Sequence, residues 1–298
     1  MKKSIVIISA SLSILTLTAG ILGFCNVFKQ TPTKGISYKN WMSTISDSKL
    51  IRDINIPGSH DTMALYSVGD LAGQCQSLTL SEQLNLGIRF LDIRLQLVNN
   101  ELRAVHGFVD QKNNFKNIID TVESFLKDNS SEFIIMSVKE EEKAKSSTMS
   151  FEDALKSHIS DYWLTDSVVP TTLGTVRKKI VLLSRYANST IGIPAFSSWA
   201  DNASFTMDND IYVQDEYKLK DIDKKKDAIM NCFNETGHKL KINFLSGYID
   251  GGFPPSYAPS VANDINPWIN NALKTHPNDR GIVLYDFVTS DLMKGWFE

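Results

Sequence analysis

The stretch FKNIIDTVESFLKDNSSEFIIMSV, residues 115–138, decides the fold class. Its first half, 115–127, is amphipathic with the spacing of a helix, and its second half, 133–138, is a short apolar run typical of a buried strand. Strands that are apolar on both faces belong to parallel sheets covered by helices. The stretch therefore predicts an α/β protein built on a parallel sheet.

The same alternation continues along the chain. Strand-like runs are predicted at 52–57, 87–94, 102–106, 133–138, 179–184, 211–214, 241–245 and 281–284. Helix-like segments are predicted at 80–86, 115–127, 151–158, 172–178, 221–234 and 265–274. Eight strands within the 298 − 34 = 264 residues that follow residue 34 fit one (β/α)₈ TIM barrel, which typically takes about 250 residues. We expect a single irregular barrel over 35–298, because nothing helical separates the second and third runs.

The N-terminal 34 residues have a different composition. Lys2 and Lys3 precede an uncharged, mostly apolar run, 4–28, which is typical of an export leader and is also long enough to span a bilayer. We interpret 1–34 as a signal peptide or a membrane anchor, with lipidation at Cys25 as a further alternative. The protein is therefore expected to be secreted or extracytoplasmic. Cys75 and Cys232 would then either pair or remain buried free thiols.

Charge and cysteine content exclude several classes of protein. There are 31 basic and 34 acidic residues, a net charge of −3, which argues against a nucleic-acid partner. Three cysteines are too few for a disulfide scaffold or a cysteine-rich zinc module. We expect a monomer, and we interpret the charge runs 140–142 and 224–226 as solvated surface.

Polar side chains follow the apolar runs at nearly every carboxyl end. They are His60, Asp61, Asp92, Arg94, His106, Lys139, Arg185, Asp215, Tyr217 and Asp286. In a barrel these ends meet at one mouth, where the active sites of this architecture lie. The pattern predicts that these residues line one pocket.

Two histidines in one cleft suit the cleavage of a phosphodiester, since one can accept a proton while the other donates one. Asp61 and Asp286 are candidates to orient the imidazoles, and Arg94 is a candidate clamp for phosphate. Arg94 and Asp92 could instead form a structural ion pair, and Asp215 could cap its loop. No His-x-x-x-His helix or cysteine cluster indicates a transition-metal site, so no metal or other cofactor is expected.

These residues resemble the bacterial phosphatidylinositol-specific phospholipases C, which are related to the catalytic X region of the eukaryotic phospholipases C. The resemblance runs from Trp41 to about Phe287. The segments that carry it, in order, are 56–61, 87–94, 105–107, 135–139, 180–186, 213–217 and 285–286. The resemblance implies cleavage of phosphatidylinositol, or of glycosylated phosphatidylinositol anchors, to diacylglycerol and inositol 1,2-cyclic phosphate.

The resemblance also implies a role for each site residue. His60, held by Asp286, would be the general base for the inositol 2-hydroxyl. His106, assisted by Asp61, would be the general acid for the diacylglycerol oxygen. Arg94 would bind the phosphate where some relatives use calcium, which implies a metal-independent lyase. The headgroup contacts would be Lys139, Arg185, Asp215 and Tyr217, the last stacking on the sugar ring.

The membrane surface is the second partner that the resemblance implies. Relatives carry exposed aromatic residues soon after the first histidine, whereas the segment 63–71 offers Met63, Leu65, Tyr66 and Leu71 but no tryptophan. The loop 250–257 is interpreted either as a mobile flap carrying Phe253 into lipid or as a rigid surface turn.

Two other classes of function remain open on the residues alone. One is a metal-dependent glycerophosphodiester phosphodiesterase or a sphingomyelinase-D-like enzyme on the same barrel. Such enzymes need acidic metal ligands and usually begin with a His-Arg pair, whereas Asp61 follows His60 here. The other is a catalytically inactive barrel that binds inositol or lipid, although both histidines and both carboxylates are present.

Overall fold

A computed structural model describes residues 24–25, 37–68, 73–249 and 258–298. The strands in these ranges are β1 (Phe24–Cys25), β2 (Ile56–Ser59), β3 (Ser67–Val68), β4 (Phe90–Val98), β5 (Glu101–His106), β6 (Val109–Asn114), β7 (Ile134–Lys145), β8 (Trp163–Leu164), β9 (Ile180–Arg185), β10 (Ile193–Pro194), β11 (Ser204–Thr206), β12 (Ile211–Gln214), β13 (Lys218–Leu219), β14 (Leu240–Phe244), β15 (Tyr248–Ile249) and β16 (Ile282–Tyr285). The α-helices are α1 (Leu80–Asn85), α2 (Phe115–Asp128), α3 (Phe151–Lys156), α4 (Ile222–Asn234), α5 (Ala258–Thr275) and α6 (Ser290–Phe297). Short 3₁₀ turns lie at Trp41–Thr44, Ile51–Asp53 and Leu173–Thr175.

Seven parallel strands form the curled sheet of the barrel, in the order β9-β7-β4-β2-β16-β14-β12. At one end β10 adds parallel to β9, and at the other β11 adds antiparallel to β12. Among the described residues no strand pairing joins these two ends. The predicted α/β class with a parallel sheet is confirmed, and the barrel is irregular as expected.

The third predicted strand is not part of the parallel barrel. β5 pairs antiparallel with β4 and with β6, so the run at 102–106 belongs to a hairpin on the rim. The two-residue turn between β4 and β5 is Asn99-Asn100, and both residues have positive φ angles, 52° and 64°. Asparagine tolerates this left-handed conformation, which is the one that tight hairpin turns need. Because of this turn the chain reverses without a helix.

The helices follow the predicted pattern, with three differences. The segment predicted as a helix at 172–178 contains only the 3₁₀ turn Leu173–Thr175. α5 begins seven residues before its predicted start at 265 and accommodates Pro267 within it. α6, which the sequence analysis missed, begins after Thr289, whose side chain accepts a hydrogen bond from the backbone N–H of Leu292.

The core has two parts, one on each face of the sheet. Inward residues such as Phe90, Val213 and Leu284 fill the barrel, whereas their neighbours Leu91 and Val283 pack with the residues that lie under the helices. Burial on both faces explains why these strands read as continuous apolar runs.

The structure tests the expectation about the cysteines but not the one about the leader. Cys75 and Cys232 are both buried and free, so the free-thiol alternative is the observed one. The leader at 1–34 lies outside the described residues apart from the short strand β1, and its processing stays a prediction. In the described part of the chain no helix is both long enough and apolar enough to cross a bilayer.

Candidate active site

A cavity of about 610 Å³ opens at the carboxyl ends of the barrel strands. Its lining includes His60, Arg94, His106, Lys139, Arg185, Asp215, Tyr217 and Asp286. Asp61 and Asp92 are buried and contact these residues. All ten polar residues singled out at the strand ends therefore belong to one site.

His60 is held between a carboxylate and a guanidinium. Its Nδ1 lies 2.7 Å from Asp286 Oδ1, and its Nε2 lies 2.8 Å from Arg94 Nη2. Because a guanidinium can only donate, Nε2 accepts from Arg94 and Nδ1 carries the proton given to Asp286. The Gln76 side-chain amide donates to the backbone oxygens of His60 and Tyr285, each at 2.8 Å, and so ties the two strand ends together. Gln76 was not predicted from the sequence.

The second pair joins His106 to Asp61. His106 Nδ1 lies 3.4 Å from Asp61 Oδ2 and 2.9 Å from the Gly73 carbonyl oxygen, which accepts its proton. Asp61 has a positive φ of 38° and is only 1% exposed, and its N–H donates to Asp92 Oδ2 at 3.1 Å. Cys75 Sγ is 3.7 Å from the same nitrogen of His106. The other nitrogen, Nε2, is left for a substrate.

Asp92 anchors two cations beneath the cavity. Its Oδ2 accepts from both Nε and Nη2 of Arg94 at 3.0 Å, and its Oδ1 accepts from Arg185 Nη1 at 3.2 Å. Burial acts to raise the pKa of Asp92, but the two guanidinium groups outweigh it and hold the pKa well below its usual value. The Arg94–Asp92 ion pair fixes the guanidinium at the cavity wall. Its structural role is therefore compatible with binding of phosphate by Arg94.

One member of each His–Asp pair, His60 in the first and Asp61 in the second, has a perturbed pKa. Burial acts to lower the pKa of His60, but the Asp286 carboxylate beside it outweighs burial, so the pKa is raised above 6.5. Burial raises the pKa of Asp61, although His106 and Arg94 partly offset it. Perturbed titratable groups in a cleft are typical of functional sites.

Glu141 is a site residue that the sequence analysis placed on the surface. Its side chain is 11% exposed, with Oε2 2.6 Å from Lys139 Nζ and Oε1 3.7 Å from Arg94 Nη1. Burial acts to raise the pKa of Glu141, but the two cations prevail and lower it to about 2. The interpretation of the run 140–142 as surface is therefore wrong at Glu141. The one sequence feature that could have identified Glu141 is the alternation of side chains along β7, which places Glu141 on the same face as Lys139.

The far wall of the cavity presents an aromatic surface and further charges. Arg185 stacks over Trp199, with its Cζ 3.6 Å from the ring centroid, and the Trp199 Nε1–H donates to Asp215 Oδ2 at 3.0 Å. The Tyr217 hydroxyl donates to Asp201 Oδ1 at 2.6 Å. Trp199 and Asp201 were not predicted, because they do not follow any of the eight predicted strand runs.

Lys225 corrects the second charge run. It is fully buried, and its ammonium donates to Gln214 Oε1 at 3.0 Å and to the Glu216 carbonyl oxygen at 2.8 Å. Burial lowers its pKa to about 8. Lys225 thus supports the strand end that carries Asp215, and the interpretation of 224–226 as surface is wrong at this residue.

The rim differs from the expected one. Met63 is 3% exposed and belongs to the core, not to the rim. Leu65 and Tyr66 are half-buried, whereas Leu71 and the loop 250–257 lie outside the described residues. Phe108, two residues after His106, is 81% exposed, and Phe196 is 53% exposed and lines the cavity.

Metal-binding potential is confined to one part of the site. Within the described part of the chain, two groups bring three donor atoms within 4.8 Å of one another: Asp61, Cys75 and His106, and His60, Cys75 and Asp286. Both groups share Cys75.

Known proteins resemble this chain in sequence and in structure. A family model described as "Phosphatidylinositol-specific phospholipase C, X domain" matches residues 54–186. The 1-phosphatidylinositol phosphodiesterase of Staphylococcus aureus (strain Newman) is 31% identical and covers 84% of this chain and 88% of that protein. The Listeria monocytogenes protein of the same name is 29% identical, over 87% of this chain and 84% of its own length.

Solved structures show the same relationship. A structure of the phosphatidylinositol-specific phospholipase C from S. aureus superposes with a TM-score of 0.75 at 28% identity, covering 87% of this chain and 97% of that one. The L. monocytogenes phosphatidylinositol-specific phospholipase C superposes with a TM-score of 0.69 at 24% identity, covering 88% and 98%, and so shares the fold.

Proposed function

The chain belongs to the family of bacterial phosphatidylinositol-specific phospholipases C and is a phosphodiesterase that cleaves phosphatidylinositol, and we propose that it does so by metal-independent acid–base catalysis. The observation that carries the proposal is the pair of His–Asp contacts, His60–Asp286 at 2.7 Å and His106–Asp61 at 3.4 Å, on either side of Arg94. The products are diacylglycerol and inositol 1,2-cyclic phosphate.

Arg94 binds the phosphate of the lipid. In the free protein its Nη2–H donates to His60 Nε2, so an incoming phosphate oxygen competes for this donor. Binding of the phosphate thereby frees the lone pair of His60 when the inositol 2-hydroxyl arrives. Asp92, Asp61 and Glu141 all raise the pKa of Arg94 against the effect of burial, so the guanidinium keeps its charge throughout.

His60 then acts as the general base. Its Nε2 takes the proton of the 2-hydroxyl as that oxygen attacks phosphorus, and the imidazolium that forms is stabilised by Asp286. The nucleophile belongs to the substrate itself, so no water has to be bound and oriented for this step.

His106 acts as the general acid on the other side of the phosphate. It must carry two protons, one on Nδ1 donated to the Gly73 carbonyl and one on Nε2 for the leaving diacylglycerol oxygen. Asp61 Oδ2 lies 3.4 Å from the same Nδ1 and helps to orient the imidazole. As the bond from phosphorus to the leaving oxygen breaks, the Nε2 proton moves to that oxygen.

The remaining polar residues recognise the headgroup. Lys139, Arg185 and Asp215 bind inositol hydroxyls, and Tyr217 stacks on the ring. A metal-dependent mechanism has less support. The cation that binds the phosphate in this proposal is the Arg94 guanidinium, which already contacts the carboxylates of Asp61, Asp92 and Glu141.

The membrane surface is the second proposed partner, and the protein is proposed to act outside the cytosol. Two exposed aromatic residues support the first proposal, namely Phe196, which lines the cavity, and Phe108, two residues after the cavity-lining His106, since exposed aromatic rings can enter the interface of a bilayer. The lysines and the uncharged run of the leader support the second.

The test follows phosphorus-containing products from phosphatidylinositol vesicles by ³¹P NMR with an excess of chelator present. We expect inositol 1,2-cyclic phosphate to appear first at an undiminished rate, and His60→Ala and His106→Ala each to lower the rate at least about 10²-fold. Loss of activity in chelator would overturn the metal-independent mechanism and revive a metal-dependent diesterase. A first product other than the cyclic phosphate would overturn the proposed role of the 2-hydroxyl.

A further inference from the structure

Cys75 lies between the two acid–base pairs and has no role in the proposed reaction. Its Sγ is 3.7 Å from His106 Nδ1, and its thiol lines the active-site cavity. Its backbone is anchored on both sides, since its N–H donates to the Ala64 carbonyl at 2.9 Å and its carbonyl accepts from Phe287 N–H at 2.7 Å. The thiol is therefore held in place beside His106.

We propose that Asp61, Cys75 and His106 form an inhibitory zinc site. A carboxylate, a thiolate and an imidazole are the three ligand types that Zn²⁺ takes in proteins. Ligand distances of about 2.1 Å to oxygen or nitrogen and about 2.3 Å to sulfur give tetrahedral edges of about 3.4 Å between N and O and about 3.6 Å between N and S. The structure has 3.4 Å from His106 Nδ1 to Asp61 Oδ2 and 3.7 Å from the same nitrogen to Cys75 Sγ.

The Asp61 oxygen provides an independent indication of a ligand. Oδ2 is buried in a side chain that is 1% exposed, and among the described residues it accepts no hydrogen bond, since His106 Nδ1 and Arg94 Nε lie 3.4 and 3.7 Å away without donating to it. A buried carboxylate oxygen without a hydrogen bond is costly. A metal ion bound to this oxygen would remove that cost.

The other group that contains Cys75 fits zinc less well. His60 Nδ1 is 2.7 Å from Asp286 Oδ1, which is a hydrogen bond and too short for a tetrahedral edge of about 3.4 Å. The other nitrogen of His60 contacts the Arg94 guanidinium at 2.8 Å, whereas that guanidinium is 3.7 Å from Asp61 Oδ2, so its positive charge opposes a cation more strongly at His60. Zinc therefore binds at Asp61, Cys75 and His106.

Zinc binding displaces protons from two of the three ligands, Cys75 and His106. The S–H bond of Cys75 breaks, a Zn–S bond forms, and the thiol proton goes to the buffer. The doubly protonated form assigned to His106 above also releases its Nδ1 proton and keeps the one on Nε2, so two protons are released per zinc ion. The fourth position remains for water, as in other zinc sites with three protein ligands.

Zinc bound in this way occupies the proposed general acid. This consequence rests on the proposed function, because it assigns His106 the proton for the leaving group. His106 bound through Nδ1 to a cation cannot be doubly protonated, and Asp61 is then a ligand of the metal and no longer a partner of the imidazole. Added Zn²⁺ should therefore inhibit, and a chelator should restore the rate.

The experiment measures metal binding apart from catalysis. Co²⁺ replaces zinc in the full chain under a thiol-free reductant, and a thiolate-to-cobalt charge-transfer band in the near ultraviolet reports a Co–S bond. We expect one such band with one equivalent of Co²⁺, removed by competing Zn²⁺. Cys75→Ser should abolish the band, and the matched control Cys232→Ser, at the other buried thiol, should keep it. Asp61→Asn should keep the band but weaken Co²⁺ binding at least about 10-fold.

Activity provides the second arm. The Zn²⁺ concentration that halves the rate should rise at least about 10-fold in Cys75→Ser, relative to that variant's own uninhibited rate. The proposal would be overturned by a band that persists in Cys75→Ser or by Co²⁺ binding without a charge-transfer band. It would also be overturned if zinc inhibited the parent protein and Cys75→Ser equally. If the charge-transfer band forms but the chelated protein yields no cyclic phosphate, the proposed reaction fails and the zinc site stands.

Discussion

Replacing Glu141 with glutamine should make the stability of the protein less dependent on pH in the acid range. Lys139 Nζ and Arg94 Nη1 lie 2.6 and 3.7 Å from its carboxylate oxygens. Burial acts to raise the pKa of Glu141, but these cations lower it from 4.5 to about 2. Because the folded pKa is the lower one, ionised Glu141 contributes stability above about pH 4.5 and loses it as the pH falls toward about 2.

The magnitude follows from the two pKa values of Glu141. The difference between 4.5 and about 2 corresponds to about 3 kcal/mol of unfolding free energy at pH 7. The side chain is only 11% exposed, so solvent screening reduces this value little. At pH 3 the unfolded chain has bound the proton and the folded chain largely has not, so about 2 kcal/mol of the contribution is already lost.

The assay is urea unfolding of the parent protein, Glu141→Gln and Glu142→Gln at steps from pH 7 to pH 3. Glu142 is exposed and is the matched control for removing one negative charge from the same strand. The free-energy gap between the parent and Glu141→Gln should be largest at pH 7 and should narrow toward pH 3. A gap that stays constant with pH, or an equal gap for Glu142→Gln, would refute the reasoning.

Two further predictions concern the base and the rim. Asp286→Asn removes the carboxylate that most raises the pKa of His60. The acidic limb of the kcat/KM profile should therefore move to lower pH, because the base stays unprotonated further into acid. A pH–rate profile whose acidic limb does not move would contradict this role of Asp286. Phe108→Ser should weaken binding to phosphatidylinositol vesicles about 10-fold or more, because one exposed aromatic side chain can then no longer be buried in the bilayer interface on binding. Val168→Ser, at an exposed apolar residue outside the cavity lining, is its control in vesicle sedimentation, and equal losses would show that the rim has no special part.

Local sequence patterns predict most of the barrel because its strands are buried on both faces. β12 has the predicted bounds, 211–214, and β7, β9, β14 and β16 begin within one residue of their predicted starts. The pattern fails at 102–106, where the predicted run belongs to the antiparallel strand β5. Hydrophobicity reports burial but not the direction of the neighbouring strand, and the turn at Asn99-Asn100 decides that direction.

The burial of charged residues is predicted less well from local sequence than the barrel strands are. Glu141 and Lys225 stand in runs of like charge that are typical of solvated surface, and both are largely removed from water. Their burial depends on partners from other segments. β4 and β7 pair with Arg94 opposite Lys139, which brings the Arg94 guanidinium to Glu141. No local pattern encodes that register.

The sequence by itself determined which chemical groups stand at the ends of the strands, because apolar periodicity marks where each strand stops and residue type supplies the chemistry. Only the tertiary structure decided which of these groups act together. His60 and Asp286 are 226 residues apart and meet because β16 pairs with β2. His106 reaches Asp61 because a hairpin turns back over the mouth. The physical reason is that strand order and register come from hydrogen bonds and packing between distant segments, which the composition of any single segment does not specify.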